Sequence, residues 1–128
     1  MGAKGKDNWL SGKRILVVED EADVRAFVEM VLAEEGYEVA VAGDGQQALD
    51  EVRRRKPSLI LLDMRLPVMD GWEFARRLHA ELGESIPVVV MTALHDPSAA
   101  ARQVHAKGYL RKPFDIDQLI ATVQKNAT

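Results

Sequence analysis

The sequence predicts an α/β fold in which a five-stranded parallel sheet is covered by helices on both faces. Four apolar runs have the length of short buried strands, and three of them are continuous rather than alternating. Segments with the apolar spacing of amphipathic helices separate these runs, so strand and helix alternate five times along the chain. Such an alternation implies right-handed crossover connections and therefore a parallel sheet.

The predicted strands are short apolar segments that lie between helical patterns. A fifth candidate is shorter than the others and precedes the final helix. The strands are predicted at residues 15–18, 39–42, 59–62, 88–91 and 108–110.

The first three helices are predicted from their apolar stripes and from the residues that bound them. The first carries its stripe over residues 24–32 and ends before Gly36, since glycine often follows a helix C-cap. The second opens after Asp44. The third carries its stripe over residues 74–82 and closes at Gly83.

The last two helices begin at capping sequences. Asp96 is an N-cap followed by Pro97 at the first helical position, and the helix that it opens is predicted to run to about Ala106. This helix is rich in alanine and serine, so it has little apolar surface to bury. Asp115 begins the last helix, with Gln118 three residues later as in a capping box.

Composition restricts the class of protein. A chain of 128 residues suits one compact domain, and the lack of cysteine excludes disulfides and thiolate metal sites. A net charge of −3 gives no electrostatic footprint for nucleic acid, and no apolar run has the length of a membrane span or a signal peptide. We expect a cytoplasmic domain over residues 13–126 that binds neither nucleic acid nor membrane. Residues 1–12 are expected to be a flexible N-terminal arm or a cloning remnant.

Polar side chains that suit phosphoryl transfer follow the predicted strands. Glu19 and Asp20 follow the first strand, and Asp63 follows the third. The fourth ends at Thr92, and the fifth leads into Lys112. In an open parallel sheet these strand ends share one edge, where ligands bind. Carboxylate oxygens without histidine or cysteine suit Mg²⁺, while a lysine and a hydroxyl can hold a phosphoryl group.

Each of these residues also has a simpler explanation. An acidic pair at a strand end often begins a helix, and a single aspartate after a strand is usually a cap. The joint occurrence of suitable residues at four strand ends favours the functional interpretation. By contrast, His79, His95 and His105 share no close ligand spacing and have no triad partner, so we expect them to be surface residues.

The ordered set of motifs resembles the response-regulator receiver domain of two-component systems. The matching segments are Asp20, residues 63–71 (DMRLPVMDG), residues 92–93 (TA) and residues 112–114 (KPF). The resemblance spans roughly residues 13–124. It implies a flavodoxin-like, doubly wound (βα)₅ fold with the strand order 2-1-3-4-5.

The resemblance also implies the roles of the acidic residues. Asp63 would accept a phosphoryl group from a histidine kinase or a histidine phosphotransfer protein. Mg²⁺ would be bound by Asp63 and Asp20 directly, by Glu19 through water, and by the main-chain carbonyl of Arg65. The domain would catalyse only its own phosphorylation and dephosphorylation, so it is expected to be a signalling switch rather than a metabolic enzyme.

A conformational switch is implied by the same resemblance. Thr92 would move to bond the phosphoryl oxygen, Lys112 would pair with it, and Tyr109 would turn inward. Pro113 would follow a cis peptide bond that fixes the direction of the lysine. The signal would leave through helix 4, strand 5 and helix 5, toward a protein target or an attached effector, from a monomer or a phosphorylation-dependent dimer.

One stretch departs from the family pattern. Residues 105–108 read HAKG, about two residues fewer than the family usually has before the position of Tyr109. Helix 4 and its following loop are therefore expected to be shortened or mobile.

Three other functions stay open at this point. A Mg²⁺-dependent phosphohydrolase with an aspartyl nucleophile would need a second acid at the position of Arg65. A flavin or nucleotide carrier would need a glycine- or hydroxyl-rich loop after the first strand, where residues 19–23 are mostly acidic. The third is a phosphorylation-independent interaction module on the same scaffold.

Overall fold

The computed structural model describes residues 12–127, in which five strands and five helices alternate. The strands are β1 (Arg14–Val18), β2 (Glu38–Ala42), β3 (Leu59–Leu62), β4 (Val88–Thr92) and β5 (Gly108–Arg111). The helices are α1 (Ala22–Glu34), α2 (Gly45–Arg54), α3 (Gly71–Leu82), α4 (Pro97–Gln103) and α5 (Ile116–Asn126). None of these helices is long and apolar enough to cross a bilayer. The predicted arm lies, except for Gly12, outside the described residues.

The strands form one parallel sheet in the order β2-β1-β3-β4-β5, so the predicted fold class and strand order are confirmed. The register pairs Val18 of β1 with Leu62 of β3, and Thr92 of β4 with Arg111 of β5. The carboxyl ends of these strands lie on the same side of the sheet, and β4 extends two residues beyond β3, since Leu62 pairs with Val90. The residue that follows each strand lies on one common edge of the sheet.

The sheet separates two apolar layers. Leu16 and Val18 of β1 pack with α2, α3 and α4 on one face, whereas Ile15 and Val17 pack with α1 and α5 on the other. This follows from the period of two residues in a strand, which directs successive side chains to opposite faces. Because both faces are covered, every position of β1 is buried. This double coverage explains why the strand has a continuous apolar sequence.

Helix α4 is shorter than predicted, since it ends at Gln103 rather than near Ala106. The Ala106 N–H donates to the carbonyl oxygen of Ala101 (2.8 Å), and the His105 N–H donates to that of Arg102 (3.2 Å). These two hydrogen bonds form a Schellman motif, which closes a helix with a left-handed residue. His105 occupies that position with φ 57°, where glycine is usual. The predicted end of this helix near Ala106 is therefore wrong, and the expectation that the helix is shortened relative to the family stays a prediction.

We expect the Val68→Asn substitution to stabilise the protein by about 1 kcal/mol. Val68 lies in the β3–α3 loop with φ 67° and is 83% exposed, so a β-branched side chain adopts a left-handed backbone with little packing in return. Asparagine tolerates this conformation better. Urea unfolding measures the difference, and Val68→Ala should gain less, because alanine removes the β-branch but lacks the short polar side chain that hydrogen-bonds locally in this conformation. A loss of stability in Val68→Asn would contradict the assignment of strain to this residue.

Candidate phosphoacceptor site

Backbone pairing brings the predicted site residues to one edge of the sheet. The Asp63 N–H donates to the carbonyl oxygen of Val18 (3.0 Å), which places Asp63 beside Glu19, the next residue of that chain segment. The Lys112 N–H donates to the carbonyl oxygen of Thr92 (2.9 Å). The residues that follow β1, β3 and β5 therefore converge, as the sequence predicted.

Glu19, Asp20 and Asp63 form a group of three carboxylates. One oxygen atom from each lies within 4.8 Å of the others, and this is the only such group of acidic or histidine ligands among residues 12–127. Glu19 and Asp63 are buried, whereas Asp20 is exposed to solvent. An oxygen-only donor set with this charge fits a hard divalent cation such as Mg²⁺, and its exposed side leaves room for water and phosphate ligands.

Lys112 lies between two of these carboxylates. Its Nζ is 2.5 Å from Oε1 of Glu19, 3.2 Å from Oδ2 of Asp63 and 3.8 Å from Oε1 of Glu21. Burial disfavours the charged ammonium and is the largest single effect. The hydrogen bond to Glu19 and the negative charges of Asp63 and Glu19 together outweigh it and raise the pKa of Lys112. The ammonium is therefore a fixed positive charge beside Oδ2 of Asp63.

Glu19 is the carboxylate most affected by burial. Its Oε2 accepts a hydrogen bond from the Glu21 N–H (3.1 Å), and its Oε1 accepts one from Lys112. Burial raises the pKa of Glu19 above its ordinary value of 4.5, and the charge of Asp63 adds to this effect. The hydrogen bonds from Lys112 and Glu21 lower the pKa but do not outweigh burial.

We predict that the metal-free protein loses stability relative to Glu19→Gln as the pH rises above 4.5. A carboxyl group with a raised pKa in the folded state binds its proton more tightly when folded. The stability that this carboxyl group contributes is therefore complete below its pKa in the unfolded protein. That stability is lost as the pH rises through its pKa in the folded protein. Urea titrations of both proteins in EDTA at several pH values measure the difference. If the free energy of unfolding of the wild type did not fall relative to that of Glu19→Gln toward neutral pH, the effect of burial on the pKa of Glu19 would be contradicted.

The other predicted residues differ in their distance from this group. Thr92 is buried, and its Oγ1 accepts a hydrogen bond from the Leu94 N–H (3.2 Å). The Lys112–Pro113 peptide bond is cis, as the resemblance implied. Tyr109 is 47% exposed and lies outside the site, on a different cavity lined by β5 and α5. The structure therefore brings Thr92 and Lys112 together with the carboxylates but not Tyr109.

The site opens to solvent through a cavity of about 350 Å³. Its lining includes Asp20, Asp63, Arg65, Thr92 and Lys112. The predicted metal, acceptor and phosphoryl-contacting residues thus face one space, with Glu19 buried beside Lys112. A cavity of this size admits a phosphoryl group with its metal and water ligands.

Two residues at this edge were not predicted from the sequence. The Arg25 guanidinium donates from Nη1 to the carbonyl oxygens of Glu19 (2.9 Å) and Asp20 (3.4 Å), which fixes the turn that carries both acids. Glu21 adds a fourth carboxylate near Lys112. The sequence does show that Arg25 lies near the start of the helix that follows the acidic pair. The direction of its side chain, however, depends on how that helix packs in the fold.

Gly71 has a steric role next to the acceptor. A Cβ at this position would lie 2.9 Å from the carbonyl oxygen of Asp63 and 2.7 Å from Cα of Met64. The start of α3 therefore packs directly against the backbone of Asp63, and only glycine fits. Gly71 therefore allows the close approach of α3 to the loop that follows Asp63.

Two of the three histidines are not independent surface residues. The rings of His79 and His105 are in contact, with centroids 5.6 Å apart. His95 is exposed at the rim of the site cavity. Sequence spacing could not reveal the pair because its members come from α3 and from the turn after α4.

Comparisons with known proteins agree with this geometry. The chain matches the family described as response regulator receiver domain over residues 15–124. It is 37% identical over 118 residues to sporulation initiation phosphotransferase F of Bacillus subtilis, covering 91% of this chain and 94% of that protein. It is 41% identical over 114 residues to the DNA-binding response regulator MtrA of Mycobacterium tuberculosis, covering 88% of this chain. The chain spans 49% of that longer relative.

Solved structures show the same fold. Chemotaxis protein CheY4 of Vibrio cholerae superimposes with a TM-score of 0.83 at 30% identity, covering 91% of this chain and 99% of that one. The receiver domain of NtrX from Brucella abortus gives a TM-score of 0.82 at 32% identity, covering 88% and 97%. The chain therefore belongs to the response regulator receiver family, the phospho-accepting domains of two-component signalling.

Proposed function

We propose that Asp63 accepts a phosphoryl group from the phosphohistidine of a histidine kinase or a phosphotransfer protein. The observation that carries this proposal is the contact between Lys112 Nζ and Asp63 Oδ2 (3.2 Å) within a group of three carboxylates that faces a solvent-open cavity. Asp63 thus combines an anionic oxygen, a fixed positive charge and access for a partner. Phosphoryl transfer depends mainly on such positioning and charge neutralisation.

The transfer step balances without any further reactant. An oxygen of Asp63 attacks phosphorus, the bond between phosphorus and the imidazole nitrogen breaks, and that nitrogen keeps the electron pair and takes up a proton from solvent. Asp20, Asp63, the main-chain carbonyl of Arg65 and, through water, Glu19 would hold Mg²⁺. When bound, this ion supplies charge neutralisation for the phosphoryl oxygens.

Lys112 and Thr92 are proposed to stabilise the acyl phosphate. That group carries about two negative charges next to Glu19 and Asp20, so it needs a cation that does not diffuse away. Lys112 already contacts Asp63 and can pair with the phosphoryl oxygen after only a small movement. Thr92 is proposed to exchange its hydrogen bond with Leu94 for one to the phosphoryl group.

Tyr109 is proposed to respond to that movement. It lies exposed on β5, the strand that pairs with the strand ending at Thr92. An inward rotation would bury the ring and change the surface of α4, β5 and α5, which we propose as the output surface. The domain would thus act as a two-state regulator that catalyses only its own phosphorylation and dephosphorylation.

The relatives support two routes for the output. The sporulation phosphotransferase is a protein of nearly the same length, which supports a relay to another protein. The DNA-binding regulator is about twice as long as the matched region, which supports an attached effector. We propose protein contact through the output surface in either case.

Mass spectrometry tests the proposed acceptor. The protein is incubated with acetyl phosphate and Mg²⁺, and its intact mass counts the added phosphoryl groups. Borohydride then reduces the acyl phosphate to an alcohol with loss of phosphate, so that peptide mapping finds homoserine at the labelled position. We expect one added phosphoryl group per chain, homoserine at position 63, and no reaction in EDTA. Labelling at another residue would overturn the assignment of Asp63. A complete lack of labelling, together with no response to beryllofluoride, would favour the phosphorylation-independent interaction module.

A further inference from the structure

A small cavity lies between α3 and α4, away from the phosphoacceptor site. It measures about 220 Å³, and its lining includes Trp72, Arg76, His79, Gln103 and His105. The rings of His79 and His105 meet edge to face, with centroids 5.6 Å apart and planes at 75°. Oε2 of Glu84 lies 3.8 Å from Nδ1 of His105. His105 therefore lies next to both His79 of α3 and Glu84, which follows α3 by two residues.

The backbone holds these groups in place. His105 occupies the left-handed position of the Schellman motif that ends α4, where a side chain costs about 1 kcal/mol relative to glycine. A strained residue of this kind is a reason to look for a function. In addition, Trp72 Nε1 donates to Oε1 of Gln103 (2.8 Å), which ties the end of α4 to α3. His79 lies on α3 and His105 at the end of α4, and the hydrogen bond between Trp72 and Gln103 holds these two helices together.

We propose that His79 and His105 bind a divalent transition-metal ion, with Glu84 as a third ligand. Imidazole and carboxylate suit Zn²⁺ or Ni²⁺, whereas Mg²⁺ prefers oxygen ligands alone. With Zn–N bonds of about 2.0 Å in a tetrahedral site, two imidazole centroids lie roughly 5 Å apart and two ligand atoms roughly 3.3 Å apart. The measured separations are 5.6 Å between the ring centroids and 3.8 Å between Nδ1 of His105 and Oε2 of Glu84. Because the rings pack edge to face, a ring must also turn before both imidazoles can direct a nitrogen at one ion.

Closure of the site requires the exposed side chains to rotate. Among residues 12–127, three ligand atoms already lie within 4.8 Å of one another only in the acidic group of the phosphoacceptor site. The side chains of His105 and Glu84 are each 64% exposed, so they can turn toward His79 without disturbing the core. Arg76, the cation in this cavity, is paired with Glu73 (2.6 Å), which reduces its repulsion of a metal ion.

Calorimetric titration of the full chain with Zn²⁺ tests the proposal. Excess Mg²⁺ is present so that the acidic group is occupied and does not compete. We expect one site per chain in the wild type. His79→Gln and His105→Asn should weaken binding by more than the tenfold that loss of an outer-shell partner commonly costs. Asparagine is chosen at 105 because it tolerates positive φ, so the end of α4 is preserved.

His95→Gln is the matched control, since it removes the third histidine and should leave the affinity unchanged. Glu84→Gln should weaken binding less than either histidine substitution. In NMR spectra of the wild-type protein, Zn²⁺ should shift the imidazole ring signals of His79 and His105 but not those of His95. Unchanged affinity in both histidine variants, or shifts confined to His95, would overturn the proposal. Failure of millimolar Zn²⁺ to bind would do the same.

Discussion

Asp63→Asn should lose all Mg²⁺-dependent labelling by acetyl phosphate. The amide keeps the size of the side chain and can still accept the hydrogen bond from the Arg65 N–H (3.3 Å in the wild type). It lacks the anionic oxygen that attacks phosphorus, and it removes one charge from the group that would hold Mg²⁺. Intact-protein mass spectrometry after a timed reaction measures the labelled fraction directly.

Asp50→Asn is the matched control for this substitution. The side chain of Asp50 is 64% exposed, and its carboxylate accepts a hydrogen bond from Gln46 Nε2 (3.2 Å) and forms a surface ion pair with Arg53 at 3.7 Å. We expect wild-type labelling in this variant, because its charge lies on the outer surface of α2. Thermal unfolding of both variants verifies that they fold. Full labelling of Asp63→Asn in a folded protein would refute the proposed acceptor.

Lys112→Met should destabilise the metal-free protein by about 3 kcal/mol at neutral pH. Methionine fills most of the volume of the lysine stem but leaves the buried Glu19 and Asp63 without their shared cation. Removing one partner of a buried ion pair is costly because the remaining charge is neither solvated nor paired. The difference in unfolding free energy between Lys112→Met and the wild type should become smaller in acid, where the carboxylates are protonated. Urea unfolding in EDTA at two pH values measures both effects.

Lys107→Met provides the comparison for Lys112. Lys107 is exposed between α4 and β5, so its replacement should change the unfolding free energy by no more than about 0.5 kcal/mol. Addition of Mg²⁺ should recover part of the stability lost in Lys112→Met, because a bound cation offsets the same carboxylate repulsion. Equal stability of the two methionine variants would show that Lys112 does not neutralise the site.

The sheet and the position of the site could be predicted because both depend on local sequence patterns. Strands such as β3 are continuous apolar segments, and the residue after each strand lies at a fixed edge. Thus Asp63 and Lys112 could be assigned to one site without coordinates. The cap at Asp115 is equally local, and its capping box with Gln118 is present.

Features that no sequence pattern marks, and features that depend on contacts between distant segments, could not be predicted. The early end of α4 is of the first kind, because two local backbone hydrogen bonds close the helix around His105, where no glycine stands. The direction of Arg25 toward the carbonyl groups of the acidic turn depends on how α1 packs on the sheet. The contact between His79 and His105 requires the relative placement of α3 and α4.

The two apolar layers share no helix, because the sheet lies between them as a continuous partition. The carboxyl edge is where loops leading to both layers meet: Glu19 precedes α1, Thr92 precedes α4, and Lys112 precedes α5. A charge added at this edge therefore lies beside loops that lead to helices on both faces of the sheet. A single phosphorylation event would thus act on both layers, although the layers share no helix.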